Sequence, residues 1–353
     1  MRPKDGDIKR KTSPHGENGT PSVTLRDVAR RAGVSVSTVS LVVNEKAGAR
    51  IGEGTRQRVQ QAVNELGYRT NVLARSLVRG SSPFIGLVAD AISTTPFAGK
   101  IIRGAQQEAW RHGLVLLVAD TDAVPEAADK AIRMMVDHRA HGILYSTWYH
   151  REVDPPESLQ GLPTVFVNCL ASVPGSYSVI PDEVQGGRTA TEHLLSRGHR
   201  RVAFINSTES SPSTIGRLRG YKEALKAQGI RFDPRLVIRA EPEQEGGYSA
   251  ASKLLAMADM PSAVFCYNDR VAMGLYDRVK EAGKEIPSDL AVVGFDDQEV
   301  IAAHLRPALS SVALPHYDIG AQAVKTLLDM IGSGLLRPGA QHVYCPLVLR
   351  DSS

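Results

Sequence analysis

The sequence predicts a small all-α module at the N-terminus joined to a larger α/β body with parallel sheets. Three observations predict it. Short helical patterns with capping residues fill positions 24–66. From Ser82 on, near-continuous apolar runs alternate with helical stretches, as in parallel sheets covered on both faces. Basic charge is concentrated in the first quarter: residues 1–80 hold 15 Lys or Arg against 7 Asp or Glu, a net +8, while the whole chain is +4 and the remainder therefore −4. That balance suggests a polyanion-binding unit attached to something else.

At 353 residues the chain has room for a domain pair plus a small module, at roughly 150 residues per domain. No apolar stretch reaches the roughly 18 residues of a membrane helix. No apolar segment follows Met1, so no signal peptide, a cytoplasmic location and no membrane partner are expected. Cys169, Cys266 and Cys345 lie far apart in apolar runs, which suits buried small side chains better than disulfides or zinc. Residues 1–22 read as a disordered basic tail.

Thr24-Leu-Arg-Asp27 is a capping pattern that starts a first helix, with Leu25, Val28, Ala29 and Ala32 on one face and Gly33 at its end. Ser35 caps a second helix running to about Asn44. At about 100° per residue its Val39, Val42 and Val43 share one side. Ser37, Ser40, Leu41 and Asn44 share the other, short enough to approach a duplex closely. A third helix near 54–66 closes the core and ends at Gly67. This is a helix-turn-helix arrangement. From spacing alone, an ordinary helical hairpin with a solvated outer face fits as well.

In the body, strand candidates are 84–89, 114–119, 142–145, 164–167, 201–205, 263–266 and 290–294, with helices near 185–197, 214–228 and 269–282. Their number suggests two sheets, hence two lobes. Ligands in such folds bind beyond the carboxyl ends of strands. Asp90, Asn168, Asn268 and Asp296 occupy such ends, and Arg217 lies near the start of the helix after 201–205. Carboxylate, amide and guanidinium groups suit a polyhydroxylated ligand, although Asp and Asn are also ordinary turn residues. Among enzyme signatures there is no P-loop, G-x-G-x-x-G, G-x-S-x-G or H-E-x-x-H. Asp296-Asp297 lacks a partnered His or nucleophile, so neither catalytic residues nor cofactor nor metal is expected.

Val23-Thr-Leu-Arg-Asp-Val-Ala-Arg-Arg-Ala-Gly-Val-Ser-Val-Ser-Thr-Val-Ser-Leu-Val-Val-Asn44 resembles the headpiece of the lac-repressor/galactose-repressor (LacI-type) transcription regulators, and the likeness runs from about 23 to 350. It implies a headpiece at 23–69, a hinge helix or linker at 70–80, and an effector-binding and dimerisation body at 81–353. The body then has the two-lobed periplasmic-binding-protein-like fold, with lobes of about 81–181 with 315–338 and 182–314 with 339–353. By this resemblance Val36, Ser37 and Leu41 carry operator specificity. Ser35, Thr38, Ser40 and Asn44 hold phosphates or close the helix pair, and Thr24 and Leu25 join the DNA-binding set. Leu41 departs from relatives with a long polar residue there, so apolar contact would replace a hydrogen bond. Gly52 stands where a Ser or Thr cap is usual, in a loop about two residues longer than in the lac repressor.

Asn71, Ala74 and Leu77 match the hinge helix: its N-cap, the small residue permitting close approach, and the leucine wedged into the minor groove. Thr70 replaces the usual proline. Gly216-Arg-Leu-Arg-Gly-Tyr221 resembles the motif that gives Arg217 an effector-binding role, and Asp90, Asn168, Asn268 and Asp296 match other effector contacts. His193 and His199 then read as structural. The implied function is a homodimeric DNA-binding regulator, most simply a repressor, on a near-palindromic double-stranded operator. A small-molecule effector, best a sugar or sugar derivative though a purine-like ligand also fits, would control it. The body alone would equally suit a periplasmic-type sugar-binding protein that never touches DNA.

Overall fold

The computed structural model describes residues 23–43, 51–68, 82–91, 98–334 and 337–353, and the chain divides into two compact units after Arg79. In the first unit, α1 (Leu25–Ala32) begins at a reciprocal capping box: Asp27 N–H donates to Thr24 Oγ1, and Thr24 N–H donates to Asp27 Oδ2 at 3.0 Å. Gly33 ends it in the left-handed region at φ 65°, a conformation open to glycine without penalty. α2 (Val36–Val43) starts where Ser35 Oγ accepts from the Thr38 amide at 3.1 Å. α3 (Glu53–Leu66) has Gly52 at its N-cap with no side-chain bond. Val28, Val39, Val42 and Val59 are buried in the core these helices share.

The second unit begins with β1 (Phe84–Ala89), α4 (Ala98–Arg111), β2 (Val115–Asp120), α5 (Pro125–Asp137), β3 (Ile143–Val153), β4 (Thr164–Ala171) and β5 (Tyr177–Pro181). There follow α6 (Glu183–Ser196), β6 (Val202–Ser207), α7 (Pro212–Ala227), β7 (Val237–Ala240), α8 (Gln244–Leu255), β8 (Ala263–Cys266), α9 (Asp269–Glu281), β9 (Ala291–Asp296), α10 (Glu299–Ala302) and β10 (Ser310–Ala313). The chain closes with α11 (His316–Ser333), β11 (Gly339–Val343) and β12 (Leu347–Val348). Largely apolar and almost wholly buried, β1, β6, β8 and β9 form the sheet interiors, as parallel strands between helical layers must.

One sheet has the order β11-β5-β4-β3-β1-β2 and the other β12-β10-β9-β8-β6-β7. The two are the same permutation. They differ in one pairing: β11 runs parallel to β5, whereas β12 runs antiparallel to β10. The chain changes lobe at Asp182, at 314–315 and at 344–346. The expected lobe boundary after residue 338 is therefore corrected to after Val343. The reason is packing: α11 lies on α4 in the first lobe, and β11 pairs with β5 at the edge of that lobe's sheet. Pro346, which has no N–H to donate, stands between β11 and β12.

Helices cross closely in each lobe. A Cβ on Gly320 would sit 2.1 Å from the Ile101 carbonyl oxygen, and one on Gly220 would sit 2.1 Å from that of Val184. The short strands β5, β7 and β10, of four or five residues each, are not among the strands expected from the sequence. Among the described residues no helix is long and apolar enough to cross a membrane.

Candidate DNA face and effector cleft

α2 carries no charged residue, and its two sides differ as its periodicity requires. Val39 and Val42 are buried, while Ser35, Val36 and Ser37 are exposed and Thr38, Ser40 and Leu41 are partly exposed. Ser35 Oγ lies 2.8 Å from both Ser37 Oγ and Thr38 Oγ1, so three hydroxyls form one connected row. With no carboxylate on this face, nothing on α2 opposes a phosphate or a base edge. Thr24 is exposed, but its hydroxyl donates to Asp27 at 2.6 Å, so it is engaged in capping. Leu25 is half-buried against the core. Asn44, Asn71, Ala74 and Leu77 lie outside the described residues.

In the second unit the lobe crossings floor a cleft of about 720 Å³, counted out to its open mouth. Trp148, Tyr149, His150 and Asn168 supply the first-lobe wall; Glu183, Arg217, Tyr267, Asn268 and Asp296 supply the other; Leu314 and His316 come from the middle crossing. The first wall is a bulge. β3 and β4 pair at Ser146–Val167 and again at Arg151–Cys169, so four residues, Thr147–His150, stand opposite Asn168 alone. Asn168 takes φ 58°, and its Nδ2 donates to the Thr147 carbonyl at 3.1 Å. Thr147 Oγ1 donates back to the Asn168 carbonyl at 3.1 Å. Behind the bulge, the buried Asp90 carboxylate accepts from Trp148 N–H and from Arg151 Nη2, each at 2.8 Å.

The opposite wall is built on charge. Arg217 is 3% exposed, with Nε donating to Glu183 at 2.8 Å, Nη1 donating to the Tyr267 carbonyl, and Nη2 at 3.6 Å from Asp296 Oδ1. Phe295 lies 3.6 Å and Tyr267 4.5 Å from its guanidinium carbon, measured to the ring centroids. Glu183 Oε1 in turn meets His150 Nδ1 at 3.3 Å across the cleft. Burial works to raise the Glu183 carboxyl, but Arg217 and His150 outweigh it and hold it at about 2. Burial pushes Asp296 up to about 6 against the pull of Arg217, and depresses His316 to about 4. Asp296 and Asp297 sit at φ 99° and 49° in a turn pinned by buried Asp269, which accepts from Gln298 N–H and Ser311 Oγ, both at 2.6 Å.

These two regions are the parts of a known architecture. The pattern of bacterial regulatory proteins of the lacI family matches residues 24–71, and a periplasmic binding protein-like domain matches residues 191–353. The HTH-type transcriptional repressor PurR of Vibrio atlanticus is 33% identical over 315 residues, covering 87% of this chain and 92% of its own length. The chain belongs to the LacI family. The transcriptional regulator GalR of Escherichia coli is 31% identical, covering 94% of this chain and 95% of itself. The lac repressor dimer bound to operator and the anti-inducer ONPF superimposes with a TM-score of 0.76 at 26% identity, covering 94% of this chain and 99% of its own. The regulator CelR in complex with cellobiose gives 0.65 at 29%, covering 94% and 100%.

As a LacI-family chain it is a DNA-binding transcriptional regulator with a helix-turn-helix unit and an effector-type body. Of the five residues expected in the cleft, Asn168, Arg217, Asn268 and Asp296 line it. Asp90 does not: it lies behind the wall, facing a separate hollow on the first lobe, because the bulge sits over it. Arg217 engages Glu183 through Nε and the Tyr267 carbonyl through Nη1, while Nη2 meets only Asp296, at 3.6 Å. Asn268 is also engaged, capping α9 through Val271 N–H and donating to the Pro242 carbonyl at 2.9 Å. His193 and His199 bond Ser353 and Ser262, each at 2.9 Å. Sequence reasoning missed Trp148, Tyr149, His150, Glu183 and His316. Adjacent Trp148-Tyr149-His150 just past an apolar strand was the available signal.

Proposed function

We propose that this protein is a cytoplasmic, homodimeric repressor that grips a near-palindromic operator through α2 and is controlled by a small molecule held between its lobes. The observation that carries the reading is the exposed, uncharged hydroxyl row on α2 in a chain whose body opens a cleft lined from both lobes. Val36, Ser37 and Leu41 read base edges, and Ser35, Thr38 and Ser40 steady the phosphates. Asn44, Asn71, Ala74 and Leu77 keep their proposed roles at the helix end and hinge. The effector is a sugar or sugar derivative; it acts only through unequal affinity for the two lobe arrangements.

The edge strand β2 supports the dimer. Val115, Leu117 and Val118 are over 40% exposed on it, beside Trp110 at 62% on α4. An apolar, unpaired edge invites a second strand, and a second copy of this chain is the occupant proposed.

Gel retardation of duplexes from the organism's promoters, at low salt and with or without neutral sugars, tests the reading. Near-palindromic duplexes should be retained, and one sugar should change the retention. Failure to retain any duplex under every condition overturns it.

A further inference from the structure

The second lobe also carries charge at the end away from the cleft. The cleft residues Tyr267, Asn268 and Asp296 stand at the carboxyl ends of β8 and β9, whereas Arg200 and Arg201 precede β6 and residues 230–236 precede β7. The strands are parallel, so these segments meet at the opposite pole, around an open hollow of about 980 Å³. Phe232 and Leu236 supply apolar lining, and Arg200, Arg201, Arg231 and Arg235 supply charge. Among the described residues Asp233 is the only carboxylate in that lining, and it is shared: Arg235 Nη2 meets it at 2.8 Å and Arg201 Nη1 at 3.8 Å. Arg201 also reaches exposed Asp259 at 3.1 Å. Arg200 and Arg231 are exposed, and among the described residues no ion pair or hydrogen bond engages either guanidinium. Lys222 adds a further cation, with Nζ 4.6 Å from the centroid of the Phe232 ring.

Four guanidiniums against one carboxylate leave the lining at +3. Residues 81–353 sum to −4, so the rest of the body is −7. This contrast limits what the pole can hold. A duplex extends beyond a patch of this size and would lay its phosphates against acidic surroundings. A lone phosphate is held by converging donors, and the backbone amides here are spent. Arg235 N–H donates to Asp233 Oδ1, Leu236 N–H donates to the Asp233 carbonyl, and Pro234 has none to give. What remains is dispersed forks beside apolar surface, the composition of a protein interface with arginine anchors.

We propose that this pole docks a short acidic segment of another protein, one with several carboxylates around an apolar side chain, and that Arg200 and Arg231 are its principal contacts.

The full-length protein, its DNA-binding unit saturated with excess unrelated duplex, is titrated at low salt with a fluorescein-labelled peptide of glutamates and leucines, read by anisotropy. Saturable binding at a Kd of about 1 mM or tighter is expected. Arg200→Glu combined with Arg231→Glu should weaken it at least about tenfold. Both side chains are exposed and unpaired, so the variant should unfold at the parent's temperature and retain operator as the parent does. Equal binding by the parent and the double variant overturns the proposal, as does the absence of saturable binding. Equal binding of a peptide with glutamine in place of glutamate overturns it too, since carboxylates would then not be read. Displacement of the peptide by further duplex would make the occupant nucleic acid. Self-association of the parent that the double variant loses, seen by sedimentation, would make it a second copy of this chain; either result overturns the proposal.

Discussion

The two lobes repeat one strand permutation and yet present opposite chemistry to the cleft between them. The first lobe offers an aromatic bulge, Trp148–His150, hung on the carboxylate of Asp90. The second offers a buried charge cluster, with Arg217 among Glu183, Asp296 and two rings. A shared fold therefore fixes where the strand ends lie and leaves open what stands on them. The difference also divides the labour. An aromatic wall offers contact area with little directional demand, whereas a charged wall offers directional hydrogen-bonding groups.

Three substitutions sharpen or break that contrast. Arg217→Ala should act most strongly, because it strands the Glu183 carboxylate in a buried site; a loss of about 3–5 kcal/mol is expected, read from urea unfolding of the intact protein. The effector response should vanish with it, while the protein that remains folded still retains operator. A loss below about 1 kcal/mol, the value of an exposed pair, would mean that solvent reaches the pair and that the second wall is not a buried charge cluster.

Asp296→Asn comes next, and its effect depends on pH. The folded carboxyl is raised to about 6 from an ordinary 3.8. Between those values the folded protein holds a proton that the unfolded chain has released. The stability contributed by Asp296 is thus complete below about pH 4 and lost as pH rises through about 6. Glu183 has the opposite sign: held at about 2, it contributes above its ordinary value of 4.5 and loses that contribution as pH falls toward 2. Asp296→Asn should therefore stabilise at about pH 8 by roughly 2–3 kcal/mol and flatten the slope of stability between about pH 4 and 6. An unchanged slope, measured by denaturant titration across that range, would refute the assignment.

Asp90→Ala should have the smallest effect on stability, about 1–2 kcal/mol for the unsatisfied Trp148 amide and the released Arg151. Its signature is a weaker sugar response together with a change in tryptophan emission as the bulge loosens. Full effector affinity in a folded Asp90→Ala protein would show that the first wall needs no clamp.

Much of the architecture was legible in the chain. Thr24, Gly33, Ser35 and Gly67 marked helix ends through rules that span three or four residues, and Val39 and Val42 of α2 fell on the buried side. Four of five expected cleft residues face the cleft because strand ends in a parallel sheet share one edge. Asp90 obeyed the same rule and was still covered, since no local pattern announces that β3 will insert four residues opposite one.

The sequence alone thus determined the helix boundaries of the first unit and the alternation of strands and helices in the second, because capping and periodicity act between near neighbours. The tertiary structure decided the rest: that Glu183, 34 positions away, occupies Arg217; that β11 closes the first sheet; and that a carboxylate in the β1 turn supports a wall 58 residues distant. These pairings exist only once the chain has crossed between lobes, where burial makes an unpaired charge or amide unfavourable and so selects its partner.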